Sequence, residues 1–201
     1  MTSLDEIIAA AARVFRTKGY HAATVQDIAD EVGILKGSLY HHVESKEDLL
    51  YLIVREPLAR MYQTMSEIVG QDRPAADKLR QAILAHLEAF DRHYPHLFVY
   101  LREREEMRRR FREQIKLSPK QYERCWQQIV REGMKSGEFR ADLDVQIVSY
   151  GLLGMLNWLY QWYRPQGRLT AGEVAEQFTA IALTGLAAPG SKRGPARSRR
   201  R

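Results

Sequence analysis

Cysteine is almost absent from the chain: Cys125 stands alone among 201 residues. No intrachain disulfide can form, thiolate zinc sites are excluded, and a reducing compartment is the simplest setting. Long hydrophobic runs are missing too. The longest apolar stretch free of lysine and arginine, Val145 to Tyr163, carries Gln146, Ser149, Asn157 and Gln161 and stops at Arg164-Pro165, whereas a membrane span needs about 20 predominantly apolar residues. A buried helix is expected there, and no membrane partner. The first residues offer an acidic Leu4-Asp5-Glu6 turn where a signal peptide would carry bases followed by an apolar run, so a cytoplasmic location is expected.

The marks of catalysis are missing as well. There is no Gly-rich phosphate loop, no nucleophile elbow and no cluster of Asp, Glu and His with ligand spacing. His93 and His96 have helical spacing, but Pro95 lies between them and spoils the helix on which a metal pair would sit. An enzyme is not expected, with no catalytic residue, no metal and no cofactor.

Charge is present but unevenly placed. The formal net charge is +6, and Lys192, Arg193, Arg197, Arg199, Arg200 and Arg201 account for all of it. Residues 1 to 50 are acidic, with five Lys/Arg against eight Asp/Glu. Bulk charge therefore does not argue for nucleic acid, and motif geometry has to carry that case.

Apolar residues recur at three- and four-residue spacing through the chain, and strand-like alternation is absent, which predicts an all-α protein of about nine helices. Ser3 with Glu6 reads as a capping box for a first helix whose stripe is Leu4, Ile7, Ile8, Ala11, Ala12 and Phe15, stopped by Gly19. Thr24 caps a second helix that ends at Gly33, and a third covers about Lys36 to His42. Ser45 opens a long fourth helix to Gly70 with Pro57 inside it, where a kink or break is expected. A fifth runs from Pro74 to His93 and stops before Pro95; a mixed-charge segment follows, Leu101 to Lys116. Ser118-Pro119 launches the next helix, Asp142 or Asp144 starts an apolar one reaching Tyr163, and Thr170 with Glu173 caps the last. Beyond Pro189 there is no apolar periodicity, so residues 190–201 are expected to be a disordered basic tail. The expected division is 1–46 for an N-terminal three-helix unit and 47–189 for a helical C-terminal domain.

Two short helices joined by Gly33-Ile34-Leu35 after an amphipathic first helix form a helix-turn-helix candidate. The turn needs a left-handed residue that glycine supplies without steric cost. In the third helix Lys36, Gly37, Ser38, Tyr40 and His41 are small or polar, while Leu39 and Val43 can plug back into a core, leaving a face able to enter a major groove. His42 is expected to pack against the first helix.

The stretch from Thr24 to Leu49 resembles the DNA-binding signature of the TetR family of transcriptional regulators, through Ile28-Ala29, Gly33, Gly37, Leu39-Tyr40 and Ser45-Lys46-Glu47. Val43 replaces the aromatic usual after the histidine. The resemblance implies a repressor that binds a palindromic site on double-stranded operator DNA as a homodimer and is released by a small-molecule effector. It implies phosphate contacts for Thr24, Tyr40 and Lys46, and base edges for Lys36, Gly37, Ser38 and His41. It also implies a dimer interface from the last two helices, for which Gly151, Gly154, Phe178, Ala182 and Leu186 are the candidates.

A narrower resemblance joins Gly33 to His42 with Gly137 to Asp144 and Trp162 to Thr170. These are similar to the acyl-CoA-responsive branch of that family, which includes a regulator of late cholesterol-ring degradation. The effector is then expected to be an acyl-CoA thioester of a lipid, steroid or aromatic-acid catabolic pathway. Aromatics, methionines and basic residues suggest a pocket from Phe98, Tyr100, Arg102, Arg104, Met107, Arg108, Trp126, Tyr150, Met155, Asn157, Trp158 and Trp162. The alternative is a multidrug-type repressor of an efflux pump, which wants buried acids beside aromatics; Glu88, Asp91 and Glu123 are the few on offer.

Overall fold

The computed structural model describes residues 2–110 and 119–188, without the side chains of residues 108–110 and 119. The expected basic tail and the C-terminal part of the mixed-charge segment, from residue 111, lie outside the described residues. Helices account for the architecture, and among the described residues the single β-type pairing is an isolated bridge between Phe139 and Ala187.

Local signals set the helix ends. In α1 (Leu4–Lys18) the Ser3 hydroxyl accepts from the Glu6 amide while the Glu6 carboxylate reaches back to the Ser3 amide. Thr24 and Asp27 repeat that exchange at the start of α2 (Val25–Val32). Lys18 and Thr24 together hold the Asp27 carboxyl down at about 2, so the box stays ionised. Gly33 ends α2 with φ 80° and ψ 34°, the left-handed geometry that favours glycine. Next comes α3 (Lys36–Leu39), a single turn shorter than the periodicity predicts.

Ser45 caps α4 (Lys46–Val69), which continues through Pro57 and does not break there. Pro57 is buried, and it marks the passage between two hydrophobic cores. Leu49, Leu50, Ile53 and Val54 belong to the N-terminal core; Met65 and Ile68 belong to the larger C-terminal one. The N-terminal core thus takes in α4 well past Lys46.

The remaining helices are α5 (Ala75–Arg92), α6 (Tyr94–Arg102), α7 (Arg104–Arg110), α8 (Pro119–Ser136), α9 (Val145–Asn157), α10 (Leu159–Trp162) and α11 (Ala171–Leu186). Two differ from expectation. Pro95 does not merely end α5 but sits in the first turn of α6, where its missing N–H costs nothing. The helix expected to run unbroken to Tyr163 is divided at Trp158. There the Gln161 amide donates to the Trp158 carbonyl at 3.1 Å, a tightened i to i−3 turn. Asp144, not Asp142, is the cap, accepting from Gln146 N at 2.8 Å and Ile147 N at 2.9 Å.

Helix α6 is shared between the cores in the same way as α4. Val99 is buried in the N-terminal core with Met107 of α7, whereas Tyr94 and Leu97 are buried in the C-terminal one. The Arg102 guanidinium donates to the Arg16 carbonyl at 3.3 Å and lies against Gly19. In the C-terminal domain α5 packs along α11 and between α4 and α8. Lys78, itself buried, donates from Nζ to the Val69 carbonyl and to Glu132, both at 2.8 Å.

Pro74 offers α5 no capping side chain, and a distant residue replaces it. Both carboxylate oxygens of Glu138 accept at 3.0 Å, one from Ala75 N and one from Ala76 N. Partial burial raises the Glu138 carboxyl, but the two amides and the Ser136 hydroxyl outweigh it and the net shift is downward. A depressed folded-state value means this stabilisation is present above the unfolded value near 4.5 and is lost as pH falls through the folded one. Glu138→Gln is expected to lower stability at pH 7 by about 1–2 kcal/mol. It should also flatten the decline of stability below about pH 4.5. Denaturant titrations of both proteins at pH 7 and in the acid range check this.

Candidate functional site

Two surfaces follow from this architecture. On the first, at the N-terminal end, the helix-turn-helix exposes Thr24, Lys36, Gly37, Ser38, Tyr40 and His41 together. Leu39 is fully buried and Val43 nearly so, so the outward face of α3 is fixed by what its inward face must bury. Nothing lies within 4 Å of the place a Cβ at Gly37 would take, leaving the backbone open to close approach. His42 is exposed, and Val43 takes the inward position. Leu35, which sequence reading passed over, is 80% exposed beside Lys36.

Lys46 is placed differently from its expected role. Its ammonium donates to the carbonyls of Tyr20 and Ala23, both at 3.0 Å, and sits 4.5 Å from the Tyr20 ring centroid. It ties the start of α4 to the α1–α2 connection, so two of its three donors are already taken by the protein.

The second surface surrounds a cavity of about 570 Å³ in the C-terminal domain, walled by residues of α4, α5, α6, α7, α8, α9 and α10. Of the twelve pocket candidates, Tyr100, Arg102, Arg104, Tyr150, Asn157 and Trp158 line it. Arg102 and Arg104 are exposed, and place positive charge at its edge. Five others do not. Trp126 is fully buried in the C-terminal core, and Met107 is turned into the N-terminal core with Val99. Phe98 packs against Tyr94 and Tyr160, Met155 against the core, and Trp162 against Phe178, with ring centroids 6.3 Å apart. The Arg108 side chain lies outside the described residues.

Leu58, Met61 and Tyr62 from α4 and Tyr122 and Glu123 from α8 also line it, together with His86 and Phe90 from α5, which sequence reading missed. The α4 group follows from a helix that continues past the helix-turn-helix unit into the C-terminal core. The contact between His86 and Tyr122 has no sequence signal, since the two are 36 residues apart and meet only through helix packing, with Nδ1 2.9 Å from the phenol oxygen. Burial lowers the His86 imidazole to about 4 and raises the Tyr122 phenol, so both are neutral at pH 7. Among the described residues no group of His, Cys, Asp and Glu could hold a metal ion, and no helix is long and apolar enough to cross a membrane.

Beside the cavity, α9 to α11 show an apolar exterior. Ile147, Tyr150, Trp158, Trp162 and Ile181 are all exposed, as are Gly151 and Gly154, with open space where a Cβ would stand. Phe178 is half-buried. Ala182 and Leu186 are buried in the subunit's own core, because α11 turns that side toward α5. The outward residue of α11 is Ile181 instead.

These features have counterparts in known proteins. A family model described as bacterial regulatory proteins, tetR family, matches residues 7–51. One described as tetracyclin repressor-like, C-terminal domain, matches residues 72–186. The HTH-type transcriptional repressor KstR2 of Mycobacterium tuberculosis is 35% identical over 92% of this chain and 93% of its own length. The solved structure of the ketosteroid transcriptional regulator KstR2 from that organism superposes with a TM-score of 0.87 at 34% identity, covering 92% of this chain and 95% of that one. AibR, in a crystal structure with isovaleryl coenzyme A and operator DNA, gives a TM-score of 0.77 at 25% identity over 88% of this chain and 96% of its own. With two matched regions spanning the helix-turn-helix and the helical domain behind it, the chain belongs to the TetR family of bacterial transcriptional regulators, and is not an enzyme.

Proposed function

We propose that the protein is a cytoplasmic repressor that binds a palindromic operator as a homodimer and leaves it when an acyl-CoA thioester occupies the C-terminal cavity. The observation that carries this reading is the placement of the cavity wall on helices that also build the DNA-facing unit. Tyr100 of α6 and Leu58 of α4 line the cavity and pack against the N-terminal core, and Arg102 lines the cavity while bonding to the Arg16 carbonyl of α1. An effector that fits only when these helices shift binds one state better than the other, the requirement for release by a ligand.

The effector class is supported by the cavity's character and by AibR's bound isovaleryl coenzyme A. A mostly apolar chamber of this size suits an acyl body, and exposed Arg102 and Arg104 at its edge suit the phosphates of a coenzyme A head. A long or ring-bearing acyl-CoA is expected to dissociate the operator complex at micromolar concentration, with free CoA and the free acid each much weaker. Fluorescence anisotropy of labelled operator reads this directly. Release by lipophilic cations and not by acyl-CoA would overturn it in favour of the efflux-type reading, for which Glu105 and Glu123 in the wall would be the acids.

On the DNA side, Lys36 heads α3 and suits the O6/N7 edge of a guanine, whereas Tyr40 suits a phosphate. Lys36→Ala should relax discrimination at one base pair by about 1–3 kcal/mol, and Tyr40→Phe should weaken all sequences alike. Titrations over single-base operator variants separate the two; a uniform loss for Lys36→Ala would refute base reading.

The exposed apolar side of α9 to α11 supports a two-fold interface. A dimer brings two α3 helices to successive major grooves about 34–36 Å apart. Ile181→Arg places a charge on that face and is expected to give a folded monomer with at least tenfold weaker operator binding. Sedimentation velocity with circular dichroism decides it, and an unchanged dimer would rule this face out.

A further inference from the structure

One polar ring stands deep in the otherwise apolar part of the cavity wall. His86 lines the chamber and is only 4% exposed. Its Nδ1 is 2.9 Å from the Tyr122 hydroxyl, and among the described residues no protein group bonds to its other ring nitrogen. Trp126 completes a cluster of three rings, its centroid 6.3 Å from both of the others.

Hydrogen-bond satisfaction within the pair assigns the proton. An indole N–H can only donate, and that of Trp126 is buried with no hydrogen-bond partner, so it takes no part in the His86–Tyr122 pair. The only hydrogen-bond partner of the Tyr122 hydroxyl among the described residues is His86 Nδ1; were the proton on Nδ1, the phenol O–H would be left without an acceptor in an apolar wall, so the phenol donates and Nδ1 accepts. A neutral imidazole has one N–H. It is therefore on Nε2, the nitrogen without a protein partner.

We propose that His86, through Nε2–H, is a fixed hydrogen-bond donor to a carbonyl oxygen of the effector, so that the cavity selects a carbonyl-bearing ligand over a hydrocarbon of the same shape. This rests on the effector reading above and adds the chemistry by which that ligand is recognised. A buried donor left without an acceptor is costly, and a carbonyl supplies an acceptor while bringing no donor of its own that would need a partner. A carboxylate would have to lose its hydration in an apolar chamber. The carbonyl has two possible sources, the thioester itself or a ketone within the acyl body.

The test uses the full-length protein and matched ligand pairs. By calorimetry, octanoyl-CoA is compared with S-octyl-CoA, the thioether that lacks only the carbonyl oxygen. A cyclic keto-acyl-CoA is compared with its methylene analogue. In the wild type one pair should differ by about five- to tenfold in favour of the carbonyl, and which pair does so identifies the source. The ratio should fall to about one in His86→Phe and be partly kept in His86→Gln, which retains a donor. Equal binding within both pairs would overturn the proposal. Nitrogen NMR on histidine-labelled protein at pH 7 should show the neutral Nε2–H tautomer at His86; the Nδ1–H form would overturn it without any ligand. If no CoA derivative binds, the effector class above falls. His86 is then judged on 1-decalone against decalin: a shift of its Nε2 resonance with the ketone alone sustains the donor role, and equal responses reject it.

Discussion

Two hydrophobic cores share their helices, and the rest of the structure depends on that. Neither core is closed without a helix that also belongs to the other: Ile53 and Val54 precede Pro57 in one, Met65 and Ile68 follow it in the other, and Val99 and Leu97 face opposite ways from α6. Interiors are packed too densely to yield by small continuous amounts, so a displacement of α4 or α6 in one core is felt in the other. Burial that would ordinarily only stabilise a fold is here arranged so that the state of the cavity and the posture of the DNA-facing helices are not independent.

Much of this was legible from local chemistry. Ser3 with Glu6, Thr24, Ser45, Asp144 and Thr170 with Glu173 all cap the helices they announce, and Gly33 adopts the turn geometry its position demands, because such signals act over three or four residues. Pro95 misled because proline is compatible with both the end of one helix and the first turn of the next, and only packing decides. Trp126 and Met107 misled for a related reason: a large apolar side chain is equally suited to a cavity wall and a core, and the rotation of its helix chooses.

The site was half legible. Tyr150, Asn157 and Trp158 were found because α9 is apolar on more sides than one core can use. The His86–Tyr122 contact could not be found, since its partners come from α5 and α8 and neither residue is unusual in its own stretch of sequence. Lys46 shows that a motif residue can be located correctly and still hold other partners than those inferred: its place at the start of α4 brings it within reach of two carbonyls, and a cation in such a place satisfies them first.

Helix α9 has a further consequence. Tyr150, Gly154 and Trp158 line the cavity and are also part of the exposed surface, so a second subunit seated there would change the wall that the ligand touches. Occupancy and assembly are then linked, and by reciprocity whatever the ligand does to subunit association, association does to the ligand's affinity by the same factor. The apparent sensitivity of such a regulator depends on its own copy number: dilution of the protein in the cell would retune the metabolite concentration at which the operator is vacated, with no change in a single side chain.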